Sequence, residues 1–193
     1  NGELKTMVNL AQGKNFDIVF NEAKGKFAIS KVAGGQANIP LYPILTYMGM
    51  SDQAISAAWG SDLLAANRES DPKSVARAVT AFGIRTGDLK EYFAKTSLSP
   101  EMSKLTLGEG FDKVSGPMML AASKKLLNVH LTKEEPHDLN SLEYKELHSL
   151  DDFLKERIEK NRDSLTFRIK RSIDNLKRVT VSQIVNPEAF NST

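Results

Sequence analysis

Residues 16–32, FDIVFNEAKGKFAISKV, alternate apolar and polar positions on either side of a polar turn. Phe16, Ile18 and Phe20 share one side of an extended chain, and Phe27 and Ile29 do so again after NEAKGK, a turn carrying Gly25. A period of two sends successive side chains to opposite faces, so the run predicts a β-hairpin with one face on a core. AGGQAN at 33–38 reads as a loop.

The pattern then changes to helical spacing. IPLYPILTYMGM at 39–50 places Pro40 at a first helical turn and Gly49 at a C-terminal stop. Ser51 caps the next helix, with Ile55, Ala58 and Trp59 on one face. Ser70-Asp71-Pro72 starts another through Val75, Ala76, Val79 and Phe82, stopped by Gly83, and Thr86-Gly87-Asp88 opens a short one with Leu89, Tyr92 and Phe93. Residues 97–116 are broken by SLSP and LGEGFDKVSG, and a helix follows from about Pro117 to Asn128.

From about Leu150 the spacing predicts one long helix. Leu154, Ile158, Leu165, Ile169, Ile173 and Leu176 form one stripe, with Arg168, Lys170, Arg171, Lys177 and Arg178 on the other side. VTVSQIV at 179–185 reads as extended, closed by Asn186-Pro187. The fold class is therefore α+β, mostly helical with a small antiparallel β element. The organisation is a domain over 1–148, followed by a long helix and the start of a further domain over 149–193.

Composition narrows the setting. With 193 residues, 40% of them hydrophobic, the chain is long enough to bury a real core. The net charge of +2 is mild for a free-standing duplex-DNA binder, so charge alone does not argue for nucleic acid. The absence of cysteine excludes disulfides and thiolate metal sites and fits a reducing compartment. No apolar run has the length of a membrane span, and no basic-then-apolar start suggests a signal peptide. Both ends, Asn1-Gly2 and Asn191-Ser192-Thr193, read as cuts in a longer polypeptide.

Few constellations carry chemistry. His130, His137 and His148 share no spacing that puts two on one helix face, and His130 with Glu134 lacks the third ligand zinc needs. GEGFDKVSG at 108–116 lacks the Lys-Ser/Thr pair of a phosphate loop and follows no strand. No nucleophile–base set points to a hydrolase. Asp151-Asp152 suits a helix start, where acids offset the dipole. The 162–178 segment is different: Arg162, Arg168, Lys170, Arg171, Lys177 and Arg178 outnumber Asp163 and Asp174, and Phe167 lies among the cations. Cations neutralise phosphates while an aromatic stacks a base, as single-stranded nucleic acid requires. The same face also fits solvated cations, or Phe167 packing on another subunit.

The order of features carries a resemblance. FDIVFNEAKGKFAISK followed by IPLYPILTYMGMSDQAI resembles the lobe of the multisubunit DNA-directed RNA polymerase β subunit, with its hairpin, Ile-Pro helix and second helix start. DLNSLEYKELHSLDDFLKERI is similar to a later polar turn, extended run and long-helix start of that subunit, and RVTVSQIVNPEAF to the segment entering its rifampicin-binding region. Two departures stand out. VAGGQAN is neutral where the family's lobe carries a basic cluster, and LGEGFDKVSG replaces a basic Gly-Arg motif. Such divergence suits a bacteriophage-encoded polymerase.

The resemblance implies a lobe-like fold forming one non-catalytic jaw of the downstream DNA cleft and guiding the non-template strand. It implies DNA, the largest (β′-like) subunit, the remaining β parts and a promoter-specificity factor as partners, in the bacterial cytoplasm or that of a phage-infected host, with no membrane. Catalytic Mg²⁺ belongs elsewhere in the complex, so no cofactor is expected here. By position, the polar turn that receives a non-template guanine maps to Asp138, Leu139 and Asn140. Lys145 replaces the family's arginine and lacks its bidentate fork. With Arg168, Arg171 and Arg178 these form the expected nucleic-acid-binding set. The alternative is a helical scaffold or adaptor docking an acidic protein partner through its basic helix face.

Overall fold

The computed structural model describes residues 3–68, 73–131, 135 and 149–174. The chain divides into two units, Asn1–Tyr144 and Lys145–Thr193. The described part of the first holds strands β1 (Glu3–Val8), β2 (Phe16–Asn21), β3 (Lys26–Val32) and β4 (Gly35–Pro40), then helices α1 (Leu41–Tyr47), α2 (Asp52–Trp59), α3 (Ser61–Arg68), α4 (Ser74–Phe82), α5 (Leu89–Ala94), α6 (Pro100–Leu107) and α7 (Gly116–His130). The second holds α8 (Leu150–Lys160) and α9 (Arg162–Asp174). The class is α+β, with one antiparallel sheet and a majority of helix, as the periodicities indicate.

The sheet is a meander in the order β1-β2-β3-β4. The expected hairpin is β2–β3, with Phe20 opposite Phe27 and Ile18 opposite Ile29. A register shift between Asp17 and Ile18 brings Phe16 opposite Val32. Ile29 and Val32 are three residues apart, so strict alternation would turn one of them outward. The bulge lets both reach the core, where they are 0% and 5% exposed. Lys5, Asp17, Val19, Ala28 and Lys31 fall on the opposite face by the same pairing.

The segment read as a loop is a correction: its second half, from Gly35, belongs to β4. Ala33 (φ 50°) and Gly34 (φ 80°) form a two-residue turn, both in the left-handed region that matches strand twist. As an edge strand, β4 buries only Ile39, opposite Ile29, so no alternating pattern announces it. Pro40 is likewise not in a helical turn; it ends β4 with extended backbone (ψ 133°), and α1 begins at Leu41. Ser51 caps α2 by accepting from Ala54 N–H at 3.2 Å. The proposed Ser70-Asp71-Pro72 start lies outside the described residues, and Gly83 closes α4 in the left-handed region.

Aromatic rings fill the centre. Phe82 meets Phe16 edge-on at 5.5 Å and Phe93 at 5.2 Å, and Phe27 stacks on Trp59 at 4.5 Å. The Trp59 indole N–H donates to Ser123 Oγ at 2.8 Å, and that hydroxyl donates to Leu120 C=O at 2.8 Å. Each buried polar group on this path has a partner, and α2 is tied to α7.

Two helices lie beyond the sequence reading. In α3, Asn67 is buried and locks the hairpin: Phe27 N–H donates to its Oδ1 at 2.9 Å, and its Nδ2 donates to Gly25 C=O at 2.8 Å. Helix α6 begins within SLSP, where the sequence suggests a break. Ser99 Oγ accepts from Met102 N–H at 3.3 Å and Pro100 takes the first turn, where its missing N–H costs nothing. Ser103 Oγ then accepts from Phe111 N–H at 2.7 Å, and Thr96 Oγ1 from Val114 N–H at 3.0 Å. These two hydroxyls hold the 108–115 loop, which forms no strand or helix.

Two carboxylates make this unit acid-sensitive. Asp88 Oδ1 caps α5, accepting from Lys90 N–H at 2.8 Å and Glu91 N–H at 3.2 Å; the backbone N–H groups of Glu91 and Lys90 hold the carboxyl below the usual range. Asp52 is lowered by Arg68, its ion-pair partner, and by the Tyr42 hydroxyl at 3.0 Å. A carboxyl whose folded pKa is depressed contributes stability above its unfolded pKa, about 3.9 for Asp. That stability is lost as pH falls through the lower folded value. Acid unfolding followed by circular dichroism should therefore steepen below about pH 4. Asp88→Asn, which keeps a capping oxygen, combined with Asp52→Asn should flatten that limb; an unaltered limb would refute the assignment.

In the second unit Ser149 and Asp152 form a reciprocal cap. Ser149 N–H donates to Asp152 Oδ2 at 2.8 Å, and Asp152 N–H to Ser149 Oγ at 3.3 Å. The single long helix expected here is instead two. At Asn161 the side-chain Nδ2 donates to Arg157 C=O at 3.0 Å, alongside its own N–H at 3.2 Å. The backbone bond is the ordinary i→i−4 one, so the helical ladder is kept at Asn161 even though α8 ends at Lys160 and α9 begins at Arg162.

Candidate nucleic-acid interface

Helix α9 carries the cationic face. At about 100° per residue, Phe167 is followed one turn later by Lys170 and Arg171, while Arg168 lies one turn before Arg171. Phe167 is 66% exposed, and Arg168, Lys170 and Arg171 are exposed around it. Ile169, on the other side, is half-buried. Ile173, on the Ile169 side of the helix, is 40% exposed.

Local structure accounts for part of this set. Arg171 stands in the last turn, where a cation complements the partial negative charge of the helix C-terminus. Thr166 Oγ1 donates back to Arg162 C=O at 2.8 Å and consumes that carbonyl's second lone pair. Neither contact explains Phe167: a phenyl ring mostly in water gains nothing from where it is and is available to a flat partner.

Of the expected binding set, Arg168 and Arg171 are one turn apart on the same exposed face. Asp138, Leu139, Asn140, Lys145 and Arg178 lie outside the described residues, as do Lys177, His137, His148 and the 179–185 run. Lys170 joins the two arginines; its place beside Phe167 was legible from the i,i+3 spacing alone.

The remaining histidine has a local role. His130 ends α7, with Nδ1 3.2 Å from Glu22 Oε1 and its ring 5.3 Å from Phe20. Glu134 lies outside the described residues. Among the described residues no group of three His, Asp or Glu could hold a metal ion, and no helix is long and apolar enough to cross a membrane.

No family model matches the chain, and no curated protein matches it.

Proposed function

We propose that the chain is a non-catalytic segment of a DNA-directed RNA polymerase β-like subunit, forming one jaw of the downstream DNA cleft and guiding the non-template strand. The observation that carries the reading is Phe167, 66% exposed on a helix face with Arg168, Lys170 and Arg171 around it. Phosphates of a melted strand meet the cations while an unpaired base stacks on the ring. The hairpin β2–β3 followed by α1 and α2 supports it through the order of lobe-like elements. In this reading Asp138, Leu139, Asn140 and Lys145, carried over by position from the resemblance, contact the same strand at the bubble edge. The largest subunit and the rest of β would complete the cleft and supply Mg²⁺.

The test is a salt titration of full-chain binding to fork-junction DNA by fluorescence anisotropy. Arg168→Ala and Arg171→Ala should each reduce the slope of log K against log salt by about 0.7, the value for one single-strand phosphate contact. Phe167→Ala should weaken binding by about 1–3 kcal/mol, the range for a lost base stack, with little change in slope. In an assembled polymerase, Lys145→Ala and Arg171→Ala should shorten open-complex lifetime. Unchanged slope and affinity in all variants would sink the reading and favour an adaptor that docks an acidic protein on this face.

A further inference from the structure

We draw no further inference here: the strongest candidate, the outer edge of β1, which among the described residues pairs with β2 alone, carries nothing because nothing in the structure shows what covers it.

Discussion

Replacing Phe82 with alanine should lower the unfolding free energy by about 3–5 kcal/mol, the usual cost of emptying a buried phenylalanine site. Phe82 is 1% exposed and meets three rings, Phe16, Phe93 and Tyr92, at 5.2 to 5.5 Å. Two of those contacts, with Phe16 and Phe93, are edge-to-face, a geometry worth something beyond burial alone. Collapse into the void is hindered because Phe16 belongs to a strand paired on both sides, while Gly83 fixes the end of α4. Urea denaturation of the full chain measures it: the midpoint should fall with the slope unchanged. A loss under about 1.5 kcal/mol would mean that the three rings close over the gap.

The second large effect is Asn67→Ala, expected to cost about 2–4 kcal/mol. Truncation strands Phe27 N–H and Gly25 C=O, both satisfied by the Asn67 amide. Leaving the buried Phe27 N–H without a partner costs more than the hydrogen bond itself contributes, and the part-buried Gly25 C=O adds less. Asn67→Asp separates the two halves: it keeps an acceptor for Phe27 N–H, loses the donor to Gly25, and brings a charge into a buried site. Asn67→Ala should also raise amide exchange at Phe27 selectively. Wild-type protection there would show that the turn holds without α3.

These two residues differ in how far the sequence announces them. Phe82 is legible, since it completes a helical stripe with Val75 and Val79 just before a glycine stop. Asn67 is not: its role depends on a hairpin turn some forty positions earlier, and nothing local in SDLLAANR points to it. The same contrast runs through the secondary structure. Strands β2 and β3 have core-facing residues on an alternating pattern, whereas β4 has one, and an edge strand held by backbone pairing leaves little trace in side-chain chemistry. SLSP misleads for a different reason, because serine followed by proline both interrupts a chain and begins a helix. At the candidate interface the face that carries Phe167, Arg168 and Arg171 was readable from periodicity. The interruption at Asn161 was not, because the apolar stripe runs past it at helical spacing from Ile158 to Leu165.

The strand order of the sheet also bears on how the chain is made. Each strand of the meander pairs with its immediate successor, so every closure spans a short loop and the entropic cost of each is small. All four strands leave the ribosome before α1 to α7. The sheet can register while the helices are still being synthesised, with its apolar side exposed to whatever is nearby. Trp59 must then wait for Ser123, sixty-four residues later, before its indole finds a partner. The core is therefore not closed until α7, which brings Ser123, has been synthesised.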